Sequence, residues 1–171
     1  MRSAMIRRLL VGAVLLGGLI AGLDMARLGI EMPAWRHVGA VAWAQFSRHA
    51  DLGNGLIAFP VVAIGGALAT IAALVIYRMG GGSPRSAALP MYAAAVLVVC
   101  GLVTTVFAAP NMLSLRAVGN DAAAIQRAFD GFELWGGIRS VVQTLAFVAN
   151  IWSLVKVASA DAHVSGKEVA R

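Results

Sequence analysis

Charge is what this sequence has least of. Asp, Glu, Lys and Arg make up 13% of its 171 residues, against roughly 25% in a typical soluble protein. So few charges would not cover the surface of a water-soluble fold, and the mean hydropathy of +0.80 agrees. Cysteine is nearly missing too. The single Cys100 excludes an intramolecular disulfide. Its place inside an apolar run predicts a buried structural thiol and not a nucleophile, because apolar surroundings disfavour the thiolate. Metal-ligand spacing is absent: His37, His49 and His163 form no set, and no HExxH or CxxC occurs. No metal and no cofactor is expected. Gly53-Asn54-Gly55 follows no strand and precedes no Gly-Lys-Ser, so it is no phosphate loop. The net charge is +6, but no basic run interleaves with aromatics. Those charges fit anionic lipid headgroups, and no nucleic acid is expected as a partner.

What the chain has instead is four apolar runs, at about 6–23, 55–77, 89–109 and 134–157. A hydrocarbon core about 30 Å thick takes about 20 helical residues. The runs predict an all-α, integral membrane four-helix bundle with the lipid bilayer as its first partner. One transmembrane domain covers 1–157, and 158–171 is a flexible polar tail in which His163 is solvated. The N-terminus imitates a signal peptide, but Asp24 and Ala26 fit the cleavage rule poorly, so the run is read as a retained first helix. Arg2, Arg7, Arg8, Arg78, Arg85, Lys156, Lys167 and Arg171 lie on one side of the predicted spans. Arg27, Arg36, Arg48, Arg116 and Arg127 lie on the other. The positive-inside rule then puts both termini on the cytoplasmic side of a plasma or inner membrane.

Residues 79–88 predict a flexible turn. The segments 24–54 and 110–133 exceed the roughly two to eight residues usual between bundle helices. They predict a small helical cap over the outer end, with Asn120 as the N-cap of a helix running into the fourth span. Pro110 is expected to end the third helix and leave Asn111 at the outer mouth. Pro60 is expected to kink the second span. Gly18 and Gly22, with Gly65 and Gly66, suit close helix packing.

The least expected residue in a span is Arg139, since a charge at the bilayer centre costs at least about 3 kcal/mol. Trp135 and Trp152 are about 25 Å apart along a helix, matching two interfacial belts. Arg139, Gln143 and Asn150 share one helical stripe, and such a stripe turns toward other helices because hydrocarbon cannot hydrogen-bond it. Ser47, Asp51 and Asn54 share a face at the start of the second span, which makes Asp51 the expected partner of Arg139. Arg48 competes for Asp51 at i+3. Thr104 is expected to bond its own helix backbone. His49, beside this cluster, has the chemistry of a general base.

In order, Trp43-x-x-Phe46-x-Arg48-x-x-Asp51, Pro110-Asn111 and Phe132-x-x-Trp135-x-x-x-Arg139 resemble the landmarks of a four-helix membrane family of unassigned domain function that includes the fungal anthrone oxygenases. The similarity covers nearly the whole chain to about residue 157. It implies oxygenation of a lipophilic aromatic small molecule without metal or flavin. His49 or Asp51 would then be the base, and Arg139 would hold the anion. Trp43, Phe46 and Trp135 would line the pocket, with Arg48, Asn111 and Gln143 as further substrate contacts. Family membership alone does not assign an activity. The alternative is a non-catalytic membrane subunit or scaffold for a partner membrane protein or a second copy of the chain. A transporter is the weakest reading, since no inverted repeat or broken helix pair is evident.

Overall fold

The computed structural model of the chain describes the backbone from Arg2 to Val169 and the side chains from Arg2 to Ala162. The expectations for His163, Lys167 and Arg171 therefore lie outside the described side chains. Four long helices form a bundle: α1 (Arg2–Ala26), α4 (Gly55–Met79), α5 (Ala88–Ser114) and α6 (Ala122–Val169). All four are long and apolar enough to cross a membrane. Two short helices, α2 (Met32–Val38) and α3 (Ala40–His49), lie between α1 and α4. They are joined to them by π-helical segments at Arg27–Glu31 and Ala50–Asn54. Gly39, at φ +106°, breaks the chain between α2 and α3.

The 48 residues of α6 make it the spine of the fold. Their length of about 70 Å exceeds any bilayer core. α6 therefore reaches into the cap at one end and through most of the segment 158–171 at the other, where the backbone is helical to Val169. Small residues let the helices approach. A Cβ on Gly66 would meet the Gly17 backbone nitrogen at 3.6 Å, joining α4 to α1. A Cβ on Gly18 would touch the Phe147 ring at 3.0 Å, and one on Gly101 would stand 2.9 Å from Gln143 Nε2. Gly22 faces open space and takes no part in this packing. Many large apolar side chains point outward from all four helices, among them Leu15, Ile57, Val96 and Val155. Lipid solvation accounts for such an exterior; water does not. Cys100 belongs to it, being exposed and not buried as its apolar neighbours had suggested. A helix that is apolar all round carries no periodicity to separate inside from outside.

At the end of the chain termini, Tyr77 is buried against Ile6, Leu10, Met91 and Val157. Its hydroxyl stands 2.7 Å from the Gly82 carbonyl and 2.9 Å from that of Pro84, so the expected flexible turn is tied to the bundle. At the opposite end Trp43, Leu115, Ile125, Phe129 and Phe132 form the core of the cap. Trp43 meets Phe129 edge-on at 5.1 Å.

Two local expectations change. Asp121, not Asn120, caps α6, its Oδ1 accepting from the N–H groups of Ala123 (2.9 Å) and Ala124 (3.1 Å). Pro110 does not end α5, which continues to Ser114. Asn111 Nδ2 donates to the Phe107 carbonyl, one turn back on its own helix, at 3.0 Å. Helical geometry also breaks before α4, at Gly53 (φ −91°, ψ −120°), while Pro60 lies inside α4.

Candidate functional site

Two of the ion pairs at the cap end of the bundle are buried between helices. Asp24 lies in the last turn of α1 and is 3% exposed. Its carboxylate accepts from Arg139 Nη2 at 2.8 Å and from Nε at 3.3 Å. Ser140 Oγ, the next residue on α6, is 3.2 Å from the Asp24 carbonyl. The second pair follows directly in the chain. Arg27 opens the first π segment and donates from Nη2 to Asp51 Oδ1 at 2.5 Å. Its guanidinium lies over the rings of Phe59 and Phe132, at 5.3 and 5.6 Å. Removing charges from water is costly unless each is paired and hydrogen-bonded, and both pairs meet that condition.

Beneath them is a cavity of about 320 Å³, within the range of small-molecule sites. Asp24, Arg27, Asp51 and Arg139 line its polar edge. Gln143 lines it one turn further along α6. The rest is apolar, with Phe59, Pro60 and Ala63 from α4 and Leu102, Ala109 and Met112 from α5. Leu56, Ile64 and Leu113 stand at its rim and are 38%, 47% and 43% exposed. The cleft thus opens sideways between α4 and α5, which pack together less closely than the other neighbouring long helices. Thr105 also lines it, but its hydroxyl is turned back to the Gly101 carbonyl at 2.8 Å. Thr104 does the same at 2.9 Å, as expected.

The inward stripe on α6 is present. Arg139, Gln143 and Asn150 all face other helices, and Asn150 Oδ1 lies 3.2 Å from Thr70 Oγ1. The partner of Arg139 is a correction: it is Asp24 on α1, and Asp51 is held by Arg27 instead. α1 packs directly along α6. The π turn at Ala50–Asn54 also changes the helical register, so Ser47, Asp51 and Asn54 share no face. Asn54 is exposed while Ser47 and Asp51 are buried.

Of the residues expected to converge, Asp51, Arg139 and Gln143 line the cavity. The others do not join them. His49 is exposed on the cap surface beside Gln45 and Phe46, so it cannot act as a base on a molecule in the cavity. Phe46 is outside as well, 5.4 Å from Trp35. Trp43 is spent in the cap core. Arg48 does not compete for Asp51; it donates from Nε to the Leu115 carbonyl at 2.9 Å and from Nη2 to that of Gly119, bracing the α5–α6 connection. Asn111 packs over Gly131, where a Cβ would stand 2.8 Å from its Cγ. Trp135 stacks on Phe107 at 4.7 Å.

Sequence reasoning missed Asp24, Arg27 and Phe59. A signal for the first two was present: an acid and a base three residues apart directly after an apolar run face the same way on a continuing helix. No protein-family model, curated protein or solved structure matches the chain.

Proposed function

We propose that the chain crosses a plasma or inner membrane four times, with both termini cytoplasmic, and binds a lipophilic small molecule in the cleft between α4 and α5. The observation that carries this reading is the cavity itself: an apolar volume of about 320 Å³ that ends on two buried ion pairs and opens sideways. Such a shape takes up a molecule that is mostly apolar with one polar end. The test is photolabelling of the purified protein in micelles with a diazirine-bearing alkylphenol, followed by mapping of the labelled residues. Labels are expected on the facing sides of α4 and α5, and Ala63→Trp, which fills the cleft, should remove them. Labels confined to outward residues such as Ile57 and Val106, unchanged by Ala63→Trp, would refute the site.

Oxygenation of an anthrone-like phenol is the catalytic form of the same reading. It is favoured by the presence of Asp51 and Arg139 in one apolar cavity. In it Asp51 takes a proton from the substrate CH₂, and the guanidinium of Arg139 stabilises the resulting anion. The anion then reduces O₂ directly, the CH₂ becomes C=O, and the second oxygen leaves as water. Oxygen uptake with anthrone should fall in Asp51→Asn and Arg139→Gln and stay unchanged in His49→Ala. Equal uptake in all four proteins removes the catalytic assignment and leaves a binding site.

A further inference from the structure

Most buried polar side chains of the bundle are hydrogen-bonded. Ser47 Oγ, in the cap and away from the cavity, is buried without a partner among the described residues, and along the cavity the side chain without one is Gln143. Arg139 has Asp24, Ser140 and Ser153 have their own helix carbonyls, and Thr70 has the Gly66 carbonyl at 2.9 Å. Gln143 is 8% exposed, lines the cavity and makes no hydrogen bond among the described residues. An amide offers two donors and an acceptor. Leaving it unpaired in an apolar setting is unfavourable, and in native proteins such a group calls for an explanation. Its neighbours narrow that explanation. Asp24 and Arg139 cancel, and so do Arg27 and Asp51, each pair in direct contact. The four charged side chains that line the cavity therefore carry no net formal charge to balance an incoming ion, and Glu31, 3.6 Å from Arg27 and half-exposed, lies outside the lining.

We propose that the occupant is a single-chain amphiphile with a neutral hydrogen-bonding head, a hydroxyl or a carbonyl, seated on Gln143. This rests on the cleft being the binding site. The head takes a hydrogen from Gln143 Nε2, and a hydroxyl also gives one to Oε1. The chain leaves past Phe59, Ala63 and Ile64 through the opening between α4 and α5. A carboxylate or ammonium head would bring an unmatched charge into the same apolar space, where desolvation penalises it.

Three diazirine probes with the same alkyl chain separate the cases: one ends in a hydroxyl, one in a carboxylate, one in a trimethylammonium. Each is applied to the full chain in micelles and to the Gln143→Leu variant, with the thermal midpoint of both proteins measured. The hydroxyl probe is expected to label the cleft at least about tenfold more tightly than either charged probe. Gln143→Leu should weaken it roughly two- to tenfold without lowering the midpoint of the empty protein. If all three probes label the cleft equally, or a charged one labels it best, the head group is wrong while the site stands. If none labels the cleft, the site itself fails and this inference with it. A lower midpoint in Gln143→Leu shows that the amide serves the fold and overturns its role as a ligand contact.

Discussion

Asp24→Asn should cost the fold more than any other single carboxylate change. Its side chain is 4% exposed and that of Arg139 is 16% exposed. Removing one member of a buried pair leaves the other charge uncompensated, at about 3–5 kcal/mol. The cavity beside Arg139 gives its guanidinium some access to water or lipid headgroups, so the low end, about 3 kcal/mol, is expected. Arg139→Gln should cost about the same, because it strands the Asp24 carboxylate. The double variant leaves two amides that hydrogen-bond each other, so its loss should be no larger than about 1–2 kcal/mol. The two sites would then be coupled by roughly 4 kcal/mol, the two single losses minus the double. Unfolding of the purified protein by titrated SDS in mixed micelles, followed by tryptophan fluorescence, measures each term. Asp51→Asn is the control: it should couple to Arg27→Gln and add independently with Arg139→Gln. Additive losses for Asp24 and Arg139, or coupling between Asp51 and Arg139, would overturn the pairing on which the site is built.

Gly101→Val should destabilise the α5–α6 contact by about 1–3 kcal/mol, since its Cβ would press on Gln143 Nε2 at 2.9 Å; the same unfolding titration reads it. Arg48→Ala removes donors from two connection carbonyls, a loss of roughly 1.5–3 kcal/mol, and limited proteolysis should then cut faster between Ser114 and Asp121. Tyr77→Phe should lose about 1 kcal/mol by freeing the 80–84 turn, visible as faster hydrogen exchange at Gly82. His49→Ala should leave cleft labelling unchanged, because the imidazole lies on the exposed face of α3; a loss of labelling would return His49 to the site.

The architecture was legible because hydrophobic length is a strong signal in lipid. Four runs long enough to span became four helices, and the two long connections became the cap. The inward stripe on α6 was legible for the same reason: in an apolar helix, Arg139, Gln143 and Asn150 are the positions that cannot face acyl chains. Partners were harder. Helical spacing ranks residues within one segment, but Asp24 and Asp51 are both acids at a predicted mouth, and only the packing of α1 along α6 selects between them. The π segments hid the rest. Reading 47, 51 and 54 as one face assumes an α-helix, and the turn at Ala50–Asn54 breaks that assumption. His49 and Phe46 were misplaced by adjacency in sequence alone: neither lies three or four residues from Asp51, and both fall on the exposed face of α3.

The location of the site follows from those irregular turns. A regular helix from α1 into the cap would satisfy its backbone but leave Arg27 and Asp51 to chance. Each π segment instead carries one member of the second ion pair at or near its start, Arg27 in the first and Asp51 in the second. The pair therefore joins the two segments that flank the short cap helices, with the Arg27 guanidinium over Phe59 and Phe132. The first is a π-bulge of the kind often found at functional sites, and the second contains the break at Gly53. Here they place Arg27 and Asp51 at the polar edge of the cleft. Shortening the second segment by deleting Leu52 should bring the α3–α4 junction toward a regular turn, withdraw Asp51 from Arg27 and shrink the cleft. The measurable result is loss of probe labelling together with loss of Asp51–Arg27 coupling. If labelling survives the deletion while the coupling disappears, the ion pair is no part of the binding site.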